Sequence, residues 1–452
     1  VTPELRQPGA VLLVSTYELG HAPHGLAMPL AFLRRAGFQP AVLDLAVEAL
    51  DRAAVARARV IAISVPMHTA LRMALAELPR LRALAPGAAI GFYGLYAALD
   101  AGALLAGGAA FALGGESEEA LVRAVESHGG GARSVTLARL DFPAPARDLL
   151  PAAERYAHLV VAGGRRTAGY TETSRGCLDV CRHCPVPAVY RGRFFVIDAA
   201  SVLDDIAAQV AAGARHITFG DPDFLNGPRH GMAIARELHR RWPEVTFDAT
   251  AQVTHLLRPS VSLAELRELG CAFVTTAVES LSDRVLAALA KRHRRRDALE
   301  LFDRAQGAGL VVRPTFVPFT PWTELGDLVD LVEVIAARGL EGHVAPVQLS
   351  VRLLVPAGSL LLEQGDLAAA FGPYDPAALG HRWSHPDARV DRLQGEIAAL
   401  VAAHAREGAP PAVTFAAIRA RAYAAAGLET PTSRARPRSS AVVARLSEPW
   451  FC

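Results

Sequence analysis

Apolar positions along the first 130 residues fall into short unbroken runs separated by longer amphipathic stretches. Val11 to Ser15, Ala41 to Leu43, Val60 to Val65, Ala89 to Tyr93 and Ala110 to Gly114 read as buried strands, with helices running to about Ala36 and to Leu84 between them. Buried runs that alternate with amphipathic stretches build a doubly wound parallel sheet. The turns after the later strands carry Ser64-Val65-Pro66, Gly94-Leu95-Tyr96 and Gly114-Gly115-Glu116-Ser117-Glu118. They lie at the carboxyl ends of strands, where such sheets bind ligands, so Ser64, Gly94 and Glu116 are candidate ligand contacts.

Between about Ser134 and Ala168 the pattern breaks into Pro-rich sequence, including Phe142-Pro143-Ala144-Pro145, which predicts a linker over 131–168. From Gly169 strand and helix alternate again, with strands at Ile217 to Gly220, Thr246 to Ala249, Phe273 to Val278, Val311 to Val317 and Val347 to Leu354. Six such units predict a partial (β/α)6 barrel over 169–362, its chemistry at the C-terminal strand ends. Helices around Val390 to His404 and Phe415 to Ala426 predict a small helical C-terminal extension over 363–428. The stretch 429–452 contains Pro431-Thr-Ser-Arg-Ala-Arg-Pro-Arg-Ser-Ser440 and reads as a flexible tether.

The 452 residues are 51% hydrophobic and 20% charged, enough for sizeable cores in two domains. Lys and Arg outnumber Asp and Glu by only 47 to 45, which provides no strong field for nucleic acid or anionic lipid and favours a small-molecule partner. The apolar runs are well short of the ~18 residues of a membrane span, and the first residues lack an export signal, so a cytoplasmic protein is expected. Five cysteines, three of them within eight residues, point to a metal site in a reducing compartment rather than a disulfide framework.

Those three lie in Glu172-Thr-Ser-Arg-Gly-Cys177-Leu-Asp-Val-Cys181-Arg-His-Cys184-Pro, on a loop after an expected strand. Three thiolates can hold three irons of a 4Fe–4S cube and leave the fourth open. Structural zinc is the competing reading, and its fourth ligand would be His183 or a distant residue. The segment resembles the radical SAM superfamily, whose hallmark is Cys-x-x-x-Cys-x-x-Cys after the first barrel strand. The resemblance implies that Cys177, Cys181 and Cys184 hold a 4Fe–4S cluster whose open iron chelates S-adenosylmethionine (SAM). It implies reductive SAM cleavage, fed by an electron donor such as flavodoxin or ferredoxin. His183 stands where that superfamily often has an aromatic residue.

Further segments carry the resemblance along the barrel. Ile217-Thr-Phe-Gly-Asp-Pro-Asp-Phe224 resembles the strand end that receives the SAM amino group, with Asp221 or Asp223 as acceptor; the alternative is a turn with two Asp capping the next helix. Val278-Glu279-Ser280, followed by Lys291, resembles the fourth-strand motif that meets the ribose and methionine of SAM, with Glu279 the first choice and Ser280 beside it. Gln348 and Arg352 share one face of the expected sixth strand, where Arg352 either binds a carboxylate or pairs with an internal acid. His381, Trp383, His385 and Asp387 form a helix cap or line a substrate mouth, and Cys271 is assigned to packing.

The first domain resembles the cobalamin-binding domain of one large radical SAM class, which implies cobalamin. The Asp-x-His-x-x-Gly signature of a lower axial ligand is absent, and His21 and His24 lie in the corresponding loop at another spacing. The alternative is a degenerate domain that only packs on the barrel. The end, Arg445-Leu-Ser-Glu-Pro-Trp-Phe-Cys452, resembles radical SAM proteins with a Cys-Cys-Ala-Glu-Pro or Cys-selenocysteine-Ala-Glu-Pro tail, which implies a reactive Cys452 and a selenocysteine beyond it. The alternative is a frayed terminus with an incidental Cys. The expected function is a SAM-derived radical or group delivered to a small molecule, with a thiophilic arsenic or selenium species as one candidate. Two alternatives stand beside it: a cobalamin-dependent methyltransferase acting on a small organic substrate, and a non-enzymatic iron–sulfur redox sensor.

Overall fold

The computed structural model describes residues 3–130, 132–431 and 442–448. Strands β1 (Val11–Ser15), β2 (Ala41–Asp44), β3 (Val60–Ser64), β4 (Ala89–Tyr93), β5 (Phe111–Gly115) and β6 (Ala132–Thr136) form one parallel sheet in the order β2-β1-β3-β4-β5-β6. Every residue of β1 and β3 is buried. Leu12, Val14, Ile61 and Ile63 enter one apolar core, and Val11, Leu13, Val60 and Ala62 enter another on the opposite face. This two-sided burial is why these strands read as continuous apolar runs. The strand order reverses between β1 and β3, which places a ligand crevice beside Ser64.

β6 falls within the stretch read as linker. Its sequence, Ala-Arg-Ser-Val-Thr, has no apolar run because an edge strand is covered less completely than a central one. β7 (His158–Val161) and the first half of β8 (Gly164–Thr171) also lie there, as an antiparallel hairpin turning at Ala162-Gly163. Next come β9 (Ser174–Gly176) and β10 (Phe194–Val196), an antiparallel pair that brackets the cysteine loop. β11 (His216–Phe219), β12 (Thr246–Thr250), β13 (Cys271–Glu279) and β14 (Val312–Phe316) run parallel to β8 and make a curled half-barrel.

The sixth barrel strand is not formed. Pro346–Ser350 is a 3-10 helix, and only Arg352 continues the sheet, through a single bridge to Phe319. Pro346 and Pro356 flank this segment and supply no ladder N–H, which leaves a bridge in place of a strand. A hairpin follows, β15 (Tyr374–Asp375) with β16 (Gly380–His381), then helices Ala388–Glu407 and Pro411–Ala425. Val390, Leu393, Ile397, Phe415 and Ile418 of these helices join the barrel core.

Part of the tail is ordered. β17 (Arg445–Leu446) pairs antiparallel with β7 and completes the order β14-β13-β12-β11-β8-β7-β17. Cys452 and most of the arginine-rich stretch lie outside the described residues. The two domains pack closely: Met28 and Phe32 of the first enter the barrel core, and Arg147 makes a fork with buried Asp205 at 2.6 and 2.9 Å.

Candidate active site

The cysteine loop starts where it does because of Gly176. Its φ is +76°, and a Cβ there would stand 2.3 Å from the Arg193 carbonyl oxygen. Only glycine allows β9 to close on β10 and turn the chain into the loop. Cys177 and Cys181 are buried and Cys184 is half-buried. All three thiols are pushed up from their ordinary range, Cys177 to about 11, first by burial. Charge on Cys181 and Cys177 adds to the effect at Cys184, so the thiols lie within electrostatic reach of one another. Buried thiols stay protonated until a cation arrives, and this donor set fits an iron–sulfur cube with one open corner.

Asn226 braces the loop: its Oδ1 accepts from the Leu178 N–H at 3.3 Å and its Nδ2 donates to the Gly176 carbonyl at 3.5 Å. Asp179, inside the loop, is buried and pairs with Arg292 at 3.0 Å. These partners come from segments far away in the chain and carry no motif of their own.

The candidate SAM residues divide into two groups. Glu279 reaches the loop: it ends β13 with φ +65°, lies 3.2 Å from His183 and 3.8 Å from Lys291. Burial pushes its carboxyl up, but the charge and hydrogen bond of His183 with the charge of Lys291 outweigh it, leaving about 2. The Lys291 side chain is buried and is also influenced by Cys181 and Cys184. The others are committed to the protein. Asp221 accepts from the Thr173 N–H at 2.9 Å, the Thr173 hydroxyl at 2.6 Å and the Ser174 hydroxyl at 2.5 Å. Burial, opposed by those bonds, raises its carboxyl to about 6.

Asp223 is fully buried, accepts from the Leu225 N–H at 2.9 Å and faces His255 at 2.6 Å. The Ser280 hydroxyl accepts from the Ser282 N–H at 3.1 Å, and Gln348 accepts from the Phe316 N–H at 3.3 Å. Arg352 pairs with Asp391 at 2.6 Å, donates to the Trp383 carbonyl and stacks 3.6 Å over the Trp383 ring. Arg352 thus has an internal acid partner in Asp391.

The first domain's ligand edge abuts the cysteine loop. Arg175, two residues before Cys177, donates to Glu118 at 2.5 Å and Glu172 at 2.7 Å, and lies 3.8 Å from Glu116. Tyr190 donates to Glu116 at 2.8 Å. Burial drives the Glu116 carboxyl up to about 7, with Arg175 opposing. Ser64 donates to Glu18 at 3.3 Å, and Glu18 also accepts from the Gly25 N–H. Gly94, with φ +108°, lets the chain turn from β4 straight into helix Leu95–Leu99. Glu116 Oε2, Glu118 Oε2 and both ring nitrogens of His24 are buried without a hydrogen-bond partner among the described residues. Buried polar atoms left open along a strand-end crevice suit a ligand with many amide groups, as a corrin has. Arg175, Glu18 and Lys291 are charged neighbours of the candidate residues that spacing could not rank, because Glu116, Glu118, Ser64 and Glu279 reach them from other elements.

Comparison with known proteins agrees with this layout. Residues 171–332 match the Radical SAM superfamily and residues 10–125 match the B12 binding domain. The chain therefore carries a radical SAM domain and a B12-binding domain, and it is an enzyme. These domains bring a 4Fe–4S cluster, SAM and cobalamin as cofactors.

The fold resembles that of the radical SAM methyltransferase TsrM from Kitasatospora setae, solved with cobalamin and a [4Fe–4S] cluster: TM-score 0.57, 17% identity, 74% of each chain. It also resembles the cobalamin-dependent SAM radical enzyme OxsB with aqua-cobalamin: TM-score 0.64, 14% identity, 85% of this chain and 66% of that one. A curated relative, tRNA-2-methylthio-N(6)-dimethylallyladenosine synthase of Desulfosudis oleivorans, is 32% identical over 139 residues, and the match spans only 29% of its length.

Proposed function

We propose that this chain is a cobalamin-dependent radical SAM transferase that moves a methyl or other SAM-derived group onto a small molecule. The observation that carries the reading is Arg175. It lies in β9 at the entry to the cysteine loop yet is held by Glu116 and Glu118 of the first domain, so the two cofactor regions share one ion network. When bound, the cofactors supply reductive SAM cleavage and alkyl transfer through cobalt.

The protein's own residues do the rest. Cys177, Cys181 and Cys184 hold the cluster. Glu279, kept ionised by His183 and Lys291, binds a cationic or hydroxyl group of SAM. Asp221 and Asp223 fix the strand end around it, with Ser280 and Gln348 supporting the neighbouring turns. Ser64, Gly94 and Glu116 line the cobalamin edge. The one-electron donor is a flavodoxin or ferredoxin.

A second reading takes a thiophilic arsenic or selenium species as acceptor, with Cys452 presenting it. Its support is the direction of β17. Antiparallel to β7, it runs the same way as β8, toward the strand ends from which the cysteine loop departs, and Glu448 lies 3.5 Å from the Tyr17 hydroxyl of the first domain.

The test is anaerobic reconstitution with iron, sulfide and cobalamin, then dithionite and SAM, with products read by mass spectrometry. Accumulation of S-adenosylhomocysteine or 5′-deoxyadenosine, abolished in Cys181→Ala, is the expected result. A cluster that assembles while SAM is never consumed would sink the proposal.

A further inference from the structure

On the open side of the half-barrel, where the sixth strand fails to form, the C-terminal extension leaves a cavity of about 820 Å³. That volume lies within the ~300–1,000 Å³ range of small-molecule sites. Its walls include Arg352, Leu353, Phe371, His381, Arg382 and Trp383. Among the described residues, two guanidinium groups and an imidazole line it and no carboxylate does.

The position is suited to a substrate. Arg352 bridges to Phe319, three residues past the end of β14, so this wall stands at the C-terminal face of the barrel. Six residues beyond Leu353, the Ser359 hydroxyl donates to the Arg182 carbonyl in the cysteine loop at 3.2 Å. On the other side, β15 and β16 lean on the first domain. His68 Nε2 donates to the Ala378 carbonyl at 2.9 Å, and the Tyr374 hydroxyl donates to Asp100 at 2.6 Å. The cavity wall thus touches both cofactor-bearing parts.

The chemistry of the lining sets the ligand class. The Trp383 ring is buried and fixed by its indole N–H, which donates to the Leu353 carbonyl at 2.9 Å. Arg352 Cζ lies 3.6 Å from the centre of that ring, with one amine on Asp391 and another on the Trp383 carbonyl. A guanidinium has five N–H donors, so this leaves a flat cationic plate with donors to spare. Arg382, at the rim, is oriented by Asp375. Phe371 and Leu353 add apolar wall.

We infer that this cavity binds the acceptor substrate, and that the acceptor is a small, flat, largely apolar molecule bearing a carboxylate or similar anionic group. The flat body lies along the Arg352–Trp383 stack and Phe371, and the anion takes the free donors of Arg352 and Arg382. The inference rests on the proposed small-molecule transfer reaction.

The test titrates the full chain with 2-naphthoate and, separately, with 2-naphthamide, by isothermal calorimetry and ligand-observed NMR. Naphthoate is expected to bind about tenfold more tightly than its neutral amide, the worth of one charge-assisted contact. Arg352→Gln should bring naphthoate down to the affinity of the amide, and Phe371→Ser should weaken both probes alike. Because Arg352 also props Trp383, Arg382→Gln on the exposed rim serves as the second variant and should lower naphthoate affinity alone. Equal binding of the two probes, affinities unmoved by all three substitutions, or no naphthoate binding at about 1 mM would each overturn the inference. SAM cleavage to 5′-deoxyadenosine without any acceptor is measured in parallel, so failure of the cavity assignment is separable from failure of the proposed reaction.

Discussion

Glu279 stands in a backbone conformation that costs a non-glycine residue about 1 kcal/mol or more, at φ +65°. The surroundings that hold it are His183 and the buried Lys291. Lys291→Met removes a cation from a dry site and leaves the carboxylate with His183 alone. We expect a stability loss on the order of 2 kcal/mol together with weaker SAM binding, read by thermal melting and by SAM titration of the reconstituted protein. Adding Glu279→Gln to Lys291→Met should restore much of the stability, since no unpaired charge remains, but not the SAM affinity. If the double variant binds SAM like the wild type, Glu279 has no part in the site. At this scale the cysteine cluster was legible as a cluster, because three thiols within eight residues are a local pattern. Choosing between Asp221 and Asp223 was not, because the Thr173 and Ser174 groups that occupy Asp221 come from another strand end, 48 and 47 residues away.

Among the elements, central strands were readable and edges were not. β1, β3 and β4 are apolar along nearly their whole length because apolar cores cover both faces, whereas β6 and β17 sit at sheet edges, where polar side chains are tolerated. β17 therefore hides within a stretch rich in turn formers. It is nonetheless well tied: the Ser447 N–H donates to the His158 carbonyl at 2.8 Å, the His158 N–H donates to the Ser447 hydroxyl at 2.9 Å, and Arg313 donates to the Ala444 carbonyl at 3.3 Å. Ending the chain after residue 441 exposes the outer edge of β7. The His158 and Val160 amides should then exchange with deuterium at least about tenfold faster, as expected when a bonded edge opens, while β12 amides stay protected. Unchanged exchange at β7 would show that the tail strand contributes nothing to the sheet in solution. The missing sixth strand is the converse case: Val347 to Leu354 has strand-like composition, yet its flanking prolines and the C-terminal helices leave it as a wall beside the cavity.

For the molecule as a whole, the coupling of the two domains is the property that sequence patterns convey least, since every link is long-range. His24, at the start of helix His24–Arg35, is buried at this junction 3.5 Å from Glu172. Burial, with the charges of Arg147 and Arg175 behind it, lowers its imidazole from 6.5 to about 3. A depressed folded-state value means the unfolded chain binds the proton first. The stability that neutral His24 allows is therefore present above pH 6.5 and is lost as the pH falls toward 3, at about 1.4 kcal/mol per unit. Glu18, raised to about 8, and Glu116, raised to about 7, change stability in the opposite direction, so the wild-type profile alone is ambiguous. Comparison with His24→Gln removes the ambiguity, because glutamine does not titrate and the two carboxyls contribute to both proteins. Between pH 7 and pH 5 the variant should gain about 2 kcal/mol relative to the wild type, measured by urea unfolding at each pH. Parallel profiles would mean that His24 is solvated in solution and that the domains meet less tightly there than their shared core implies.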